Sequence, residues 1–151
     1  MISYKFRLYP NKEQTSKPED TLNNCRFTYN KLLEKLNSQK TINRSEIQHH
    51  ILELEEQDQF LENTYSKVLL YECYRLFSNL RALAQLKKRG KKIGSLRFKG
   101  RDWFKTFQYN QSGFKLINTH KRNNILQLSK IGLIPIRCHQ KINGKIKQIT
   151  I

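Results

Sequence analysis

The residues whose types and spacing suggest chemistry lie in one short stretch, LRFKGRDWFKTFQY, residues 96–109. It contains five large aromatic residues, four cations and a single acid. Surfaces that bind nucleic acids need this combination, because cations track the phosphate backbone, aromatic rings stack on bases and amides hydrogen-bond to base edges. Alternate residues of a strand share a face, so we expect one face to supply the core and the other to contact nucleic acid. The pattern leaves open which rings stack and which are core.

The charge distribution extends this expectation to the whole C-terminal part of the chain. The sequence has 29 Lys and Arg against 12 Asp and Glu. Residues 1–86 hold 12 of these bases and 11 acids, whereas residues 87–151 hold 17 bases and one acid, Asp102. A polyanion would relieve the repulsion between so many cations, so the imbalance predicts a nucleic-acid partner. A membrane surface is the weaker alternative, because no segment approaches the ~20 apolar residues that span a bilayer.

Catalytic and metal chemistry have little support in the sequence. Cys25, Cys73 and Cys138 are far apart and never form C-x-x-C, a spacing that favours reduced cytosolic thiols over a disulfide framework or a zinc site. The acids between residues 53 and 62 spread around one polar helix, and Asp102 is the only acid after Glu72. A two-metal centre therefore lacks ligands in the basic part. We expect no catalytic residue, no metal and no cofactor.

The elements that would position these residues follow from hydrophobic periodicity. Residues 2–8 alternate between apolar and polar, which predicts a strand. Helical spacing predicts a helix that starts near residue 17 with Pro18 in its first turn, and a third helix over about 64–88. A capping-box sequence, Ser45-Glu46-Ile47-Gln48, predicts the start of the second helix.

Beyond the basic connector at residues 90–94, the period changes from 3.6 to 2. It predicts strands at about 103–110, 114–119, 125–129, 133–139 and 145–151. Asn143-Gly144 predicts a type I′ hairpin between the last two. The fold class is therefore α+β, with a small antiparallel OB-like β-barrel into which a helical lobe is inserted.

Five segments, in this order along the chain, resemble one known family. They are YKFRLYPNKEQ at 4–14, CRFTYNKLL at 25–33, GKKIGSLRFKGRDWFKTF at 90–107, LSKIGLIPI at 128–136 and INGKIKQITI at 142–151. They resemble the N-terminal portion of the TnpB (OrfB) family of transposon-encoded proteins. Its members, long described as transposases, include RNA-guided DNA endonucleases that are related to compact type V CRISPR effectors.

The resemblance implies a division of the chain and a set of partners. Residues 1–10 would form the first strand of a wedge-type barrel, 11–90 a helical recognition lobe and 91–151 the remaining barrel strands. The family's RuvC nuclease and zinc ribbon are absent from this sequence, so we expect no enzyme activity from the chain as given. The implied partners are guide RNA and double-stranded target DNA, with a separate or missing nuclease portion, at the nucleoid in a prokaryotic cytoplasm. Pro18 departs from the family pattern and is expected to shorten the first helix.

The resemblance also implies roles for individual residues. Asn and Gln can pair bidentately with adenine, and Tyr can pack on a thymine methyl group. The residues expected to read a short DNA motif beside the target are Gln108, Tyr109, Asn110, Gln111, Tyr65, Ser66 and Lys67. The residues expected to contact the nucleic-acid backbone are Arg7, Arg26, Arg97, Lys99, Arg101, Lys105, Lys130, Lys145 and Lys147. The candidates for stacking on bases are Trp103, Phe104 and Tyr29, of which Tyr29 is equally expected to be core.

Three other functions fit the same sequence. The chain could be a stand-alone DNA-binding repressor derived from a transposon. It could be a structural RNA-binding protein of the ribosomal kind. It could also be part of an enzyme whose active site a separate nuclease chain completes.

Overall fold

A computed structural model describes residues 2–119 and 121–151, in which three helices are inserted between strands. The α-helices are α1 (Lys12–Ser38), α2 (Arg44–Gln57) and α3 (Ser66–Lys88), and one-turn 3₁₀ helices span Gln59–Asn63 and Arg101–Trp103. The strands are β1 (Arg7–Leu8), β2 (Gln108–Asn110), β3 (Phe114–Ile117), β4 (Asn124–Leu128), β5 (Gly132–Arg137) and β6 (Gln148–Thr150). The α+β class is confirmed.

Helix α1 begins five residues before the predicted start, so the prediction of a start near residue 17 is wrong. Asn11 caps the helix through a capping box: its side chain accepts a hydrogen bond from the Gln14 backbone, and the Gln14 side chain accepts one from the Asn11 backbone. Pro18 lies inside the helix and does not end it. The helix continues because the turns beyond Pro18 bury a long face that begins at Thr21 and reaches Leu36.

Helices α2 and α3 complete a helical block, residues 12–88. The cap of α2 is Asn43 rather than Ser45, because the Asn43 side chain accepts hydrogen bonds from the backbone of Ser45 and Glu46. Helix α3 ends in cationic residues, and Gly90 follows with φ +71°, a left-handed conformation that favours glycine. The apolar side chains buried by the block are Cys25, Tyr29, Leu32, Leu33, Leu36, Ile47, Ile51, Leu54, Leu61, Val68, Leu69, Cys73 and Leu76.

The six described strands form two antiparallel sheets. One sheet has the order β1-β5-β4-β3, and β2 pairs with β6 in the other. The predicted hairpin at Asn143-Gly144 is wrong, because the residues that follow it pair with β2 instead of β5. The reason is that both edges of β5 are occupied: Ile136 lies opposite Leu8 of β1 and Asn124 of β4. Gly144 still takes a positive φ of 93°.

The two sheets enclose an apolar groove of about 490 Å³. Leu116, Leu126 and Ile136 line it from the four-stranded sheet, and Ile149 and Ile151 line it from the end of the chain. Reciprocal backbone hydrogen bonds between Phe107 and Ile151 extend the β2–β6 pairing by one residue. Closure of all the strands into a single barrel remains a prediction.

Helix α3 connects the helical block to the basic part of the chain, because it packs against β2. The Gln14 side chain of α1 also donates a hydrogen bond to the Leu133 carbonyl of β5. Among the helices in the described residues, none is long and apolar enough to cross a bilayer.

Candidate nucleic-acid interface

The start of α3 and the turn after β2 meet at one serine, although they lie more than 40 residues apart in sequence. Ser112 Oγ accepts a hydrogen bond from Lys67 Nζ at 3.2 Å and donates one to Asn110 Oδ1 at 2.9 Å. The Tyr65 hydroxyl lies 2.9 Å from the same oxygen. These four residues, Tyr65, Lys67, Asn110 and Ser112, form what we term the Ser112 cluster. Three of them were predicted to read DNA, whereas Ser112 lies between the strands predicted at about 103–110 and 114–119 and was given no role.

Tyr65 of the Ser112 cluster stacks on a second tyrosine, Tyr109. The rings of Tyr65 and Tyr109 are 6.0 Å apart and 8° from parallel. Tyr109 is buried, and its hydroxyl donates a 2.7 Å hydrogen bond to the Ser129 carbonyl. Gly113 makes room for both rings, because a Cβ at this position would lie 2.5 Å from Tyr109 and 2.7 Å from Tyr65.

Burial therefore places the Tyr109 ring in the core, where no face is open to a base in this structure. Burial also raises the pKa of the Tyr109 phenol, so the hydroxyl stays protonated and keeps its hydrogen bond to Ser129. The expected packing of this ring on a thymine methyl group is not retained. In this structure the Tyr109 ring instead stacks against the ring of Tyr65.

The remaining residues predicted to read DNA are Gln108, Gln111 and Ser66. Gln108 and Asn110 are half-buried on the face of β2 opposite Tyr109, and Gln111 is exposed in the turn. Asn110 Nδ2 has no hydrogen-bond partner within the described residues. Ser66 differs from these, because its hydroxyl donates a 2.6 Å hydrogen bond to Glu55 Oε1 and so joins α3 to α2.

The three stacking candidates separate into core and surface. Tyr29 is buried in the helical block, and its hydroxyl accepts a 3.0 Å hydrogen bond from Asn79. Phe104 is also buried, whereas Trp103 is 84% exposed. The predicted alternation fails here because Arg101–Trp103 form a 3₁₀ turn, and the strand predicted to start at 103 starts at 108. Trp103 is therefore the one stacking candidate that the structure leaves open to a base.

A side chain of α1 holds the basic segment, residues 97–105, against the helical block. Asn30 Oδ1 accepts a 2.7 Å hydrogen bond from the Lys99 amide, and Asn30 Nδ2 donates a 3.0 Å hydrogen bond to the Lys99 carbonyl. This double contact fixes the backbone while the side chains around it stay accessible. Lys99 is half-buried, and the exposed side chains of the segment include Arg97, Phe98, Arg101 and Lys105.

The other predicted backbone contacts are distributed over the surface. Arg7 is exposed and lies 5.7 Å from the Tyr9 ring centre. Arg26 is half-buried on α1, and its Nε is buried without a hydrogen-bond partner among the described residues. The exposed lysines outside the basic segment include Lys130, which has φ +68° in the β4–β5 turn, Lys145 and Lys147.

An arginine that the sequence did not single out joins α3 to the residues before β2. Arg75 Nη2 donates hydrogen bonds to the Thr106 carbonyl at 2.9 Å and to Thr106 Oγ1 at 3.2 Å. Its guanidinium carbon lies 4.7 Å from the centre of the Phe104 ring. The neighbouring Glu72 is fully buried, 3.4 Å from Arg75 Nη1.

The burial of Glu72 determines its charge. Loss of solvent raises the pKa of the Glu72 carboxyl to about 8, although Arg75 and the Cys25 thiol oppose the shift. Neither carboxyl oxygen has a hydrogen-bond partner among the described residues. Glu72 is therefore mostly neutral at pH 7, which leaves Arg75 free to bond to Thr106.

Within residues 2–119 and 121–151, no group of three His, Cys, Asp or Glu side chains could hold a metal ion.

Comparison with known proteins gives one family and no curated relative. Residues 1–41 match the family model described as the helix-turn-helix domain of OrfB from IS605-type elements. No curated protein matches the chain. The matched range contains β1 and α1, and a second helix, α2, follows it after a short connection. Two of the five segments that carry the resemblance, at 4–14 and 25–33, lie inside this range. Residues 1–41 therefore match the N-terminal helix-turn-helix domain of the TnpB/OrfB transposase family.

Proposed function

We propose that the chain binds guide RNA and reads a short DNA motif beside the target, as the N-terminal portion of a TnpB-like RNA-guided endonuclease. The observation that carries this proposal is the Ser112 cluster. It brings Tyr65 and Lys67 from the helical block to Asn110, the last residue of β2. The nuclease centre would belong to another portion of the protein, and the site of action would be the nucleoid of a prokaryotic cell.

The hydrogen bonds inside the Ser112 cluster favour base reading over a purely structural role. The Ser112 hydroxyl bonds to one of the two lone pairs of Asn110 Oδ1, which fixes the amide and leaves the other lone pair and the Nδ2 donor for a base edge. The Lys67 ammonium uses one of its three donors on Ser112 and keeps the others for a phosphate or a guanine. Gln108 and Gln111 flank this position with further amides. A fixed side chain discriminates bases better than a mobile one, because it loses less entropy on binding.

The basic segment supports a backbone-binding role next to the Ser112 cluster. Its cations, together with Lys130, Lys145 and Lys147, would contact phosphates, and Trp103 would stack on an unpaired base. We also infer that the two sheets belong to one wedge-type barrel, because residues of β6 line the same groove as the four-stranded sheet. The apolar groove would then be the interior of that barrel.

The test is a binding selection with duplex DNA that carries a short randomised motif, in the presence and absence of RNA transcribed from the transposon end. We expect Asn110→Ala and Gln108→Ala to relax the selected motif, at about 1–3 kcal/mol for each lost bidentate pair. Asn143→Ala is the matched control, since Asn143 is exposed outside the Ser112 cluster. If both variants weaken binding to every sequence equally and leave the motif unchanged, these residues do not read bases.

A second function, a stand-alone duplex-binding repressor, is favoured by the match of residues 1–41 to a helix-turn-helix domain. The selections with and without RNA distinguish the repressor from the RNA-guided function. Tight binding to one motif without RNA would support the repressor. Motif reading that requires the transposon-end RNA would support the RNA-guided function, and equal affinity for unrelated RNAs would indicate a generic RNA-binding protein.

A further inference from the structure

The position of β2 relative to α3 depends on a side-chain contact outside the Ser112 cluster. Arg75 lies nine residues after the first residue of α3, Ser66, and Thr106 lies two residues before Gln108. The two hydrogen bonds from Arg75 to Thr106 therefore fix the N-terminal side of β2. The Ser112 cluster fixes its C-terminal side to the start of the same helix. Both sides of the base-reading strand are thus held by α3.

Arg75 faces two partners with different nitrogens, Nη2 toward Thr106 and Nη1 toward Glu72. On one side are Thr106, with two acceptors, and the Phe104 ring face at 4.7 Å. On the other side is the Glu72 carboxyl at 3.4 Å, longer than a normal hydrogen bond. A neutral carboxyl attracts a guanidinium weakly. An ionised carboxylate in the same buried position would attract it strongly, because little solvent screens the pair.

We propose that Arg75 is a positioning residue for motif reading, and that the charge on buried Glu72 determines how firmly Arg75 holds β2 against α3. The inference rests on the proposed function of the Ser112 cluster. With Glu72 neutral, Arg75 bonds to Thr106 and β2 is held in place. With Glu72 ionised, the guanidinium moves toward the carboxylate, the bonds to Thr106 weaken and motif discrimination falls.

Few other groups could produce this dependence on pH. The titratable or charged groups that influence Glu72 within the described residues are Arg75 from α3 and Cys25 and Tyr29 from α1. Burial raises the pKa of both Cys25 and Tyr29, so these two groups stay neutral while Glu72 ionises. The segment before β2 contributes only the neutral Thr106 and Phe104 to this contact. A transition between pH 7 and 9 would therefore report Glu72.

The first experiment follows the backbone amides of Thr106 and of residues 108–110 by NMR between pH 6 and 9, without nucleic acid. We expect their shifts to titrate with a midpoint near 8 in the unmodified chain and to lose that transition in Glu72→Gln. Glu56→Gln is the matched control, because Glu56 is exposed on α2. Absence of the transition in the unmodified chain, or its persistence in Glu72→Gln, would overturn the inference.

The second experiment measures the ratio of affinities for the selected duplex and for the same duplex with a scrambled motif. Arg75→Lys should lower this ratio about tenfold at pH 6.5, the factor expected for losing hydrogen bonds from a charged donor. Arg81→Lys, on the exposed side of α3, is the control and should leave the ratio unchanged. Glu72→Gln should hold the ratio constant between pH 6.5 and 8.5.

The two experiments distinguish failure of the inference from failure of the proposed function. If the amides titrate with Glu72 but no duplex motif is preferred, Arg75 positions β2 and the proposed reading of DNA is wrong. If a motif is preferred but Arg75→Lys leaves the ratio unchanged, the reading of DNA stands and the positioning role is wrong. A Glu72→Gln variant that binds the motif with the same pH dependence as the unmodified chain would also overturn the inference.

Discussion

The helical block and the basic region, residues 87–151, are stabilised by different means. The helical block belongs to a stretch with nearly balanced charge, and its three helices bury a continuous apolar core. The basic region has 17 cations and one acid, short strands and a groove of about 490 Å³ between its sheets. Self-repulsion among cations destabilises a compact state, so the basic region carries an electrostatic cost that the helical block does not.

In the proposed function, the two regions would divide the work of binding. The helical block would hold the base-reading strand in place, and the cationic surface would supply affinity for phosphates. The core of the helical block is continuous with the buried rings of Phe104, Phe107 and Tyr109 in the basic region. The hydrogen bonds that join the two regions include those of the Ser112 cluster, those from Arg75 to Thr106, those between Asn30 and Lys99, and the one from Gln14 to Leu133. Each of these joins a residue of the helical block to the backbone or a side chain of the basic region. Mutations can therefore test each region and the junction separately.

The largest expected effect is on the core of the helical block. Leu69 is fully buried on α3, so Leu69→Ala should lower the free energy of unfolding by about 2–5 kcal/mol. Leu126 is also buried but lines the groove in the basic region, so the loss for Leu126→Ala should be near the lower end of this range, about 2 kcal/mol. Urea unfolding of both variants measures the difference. Equal losses would show that the two cores are equally well packed.

The next effect concerns the dependence of stability on pH. The pKa of Glu72 is raised from its ordinary value of 4.5 to about 8 by burial in the folded chain. Below pH 4.5 the carboxyl is protonated in both the folded and the unfolded chain, so it adds no pH dependence. Between pH 4.5 and 8 only the unfolded chain ionises, and the free energy of unfolding falls by up to about 1.4 kcal/mol per pH unit. Above pH 8 the loss stays constant.

Glu72→Gln removes this loss and keeps the shape of the side chain. At pH 8 we expect the variant to be more stable than the unmodified chain by at least about 2 kcal/mol, and its stability to change little between pH 5 and 8. Urea unfolding at pH 5, 6.5 and 8 measures both quantities. Glu56→Gln should retain the slope of the unmodified chain, since Glu56 is exposed. A Glu72→Gln variant that retains the slope would contradict the buried, neutral state of Glu72.

The junction between the two regions gives a smaller effect on stability. Gly113→Ala would place a Cβ within 3 Å of the stacked rings of Tyr109 and Tyr65. The rings must separate, at a cost of about 1–3 kcal/mol in the free energy of unfolding. Gly94→Ala is the matched control, because no atom lies within 4 Å of its added Cβ. If Gly113→Ala and Gly94→Ala have the same stability, the tyrosine stack does not fix the junction.

The sequence predicted features that depend on neighbouring residues more accurately than features that depend on residues far apart in the chain. All three helices were predicted, because their apolar spacing is a local property that burial preserves. The expected alternation is present within β2, with Tyr109 on one face and Gln108 and Asn110 on the other, but the sequence left open which face is core, and Tyr109 was expected to contact DNA. The start of α1 was missed because Pro18 resembles a first-turn residue, whereas the Asn11–Gln14 capping box determines the boundary.

The features that the sequence could not predict depend on contacts between distant residues. The hairpin at Asn143-Gly144 fits its turn locally, but it fails because β1 already occupies the free edge of β5. Ser112 looks like an ordinary turn residue until α3 brings Tyr65 and Lys67 to its hydroxyl. Arg75 and Glu72 belong to one helical face in the sequence, and only the position of Thr106 and the burial of the carboxyl give them distinct roles. The resemblance gave Tyr65, Lys67 and Asn110 the same expected role, and all three contact Ser112 in the structure.

The smallest expected effect is on the salt dependence of binding, compared between one lysine of the basic region and one lysine of the helical block. Lys147 is exposed near β6, and Lys40 is exposed between α1 and α2. Lys147→Gln should reduce the dependence of log affinity on log salt by about one unit for any duplex, as expected for one lost phosphate contact. Lys40→Gln should leave that slope unchanged if the phosphates follow the basic region. Binding of one fixed duplex at several salt concentrations measures both. Equal reductions would mean that affinity depends on net charge, and that the concentration of cations in residues 87–151 does not define a binding surface.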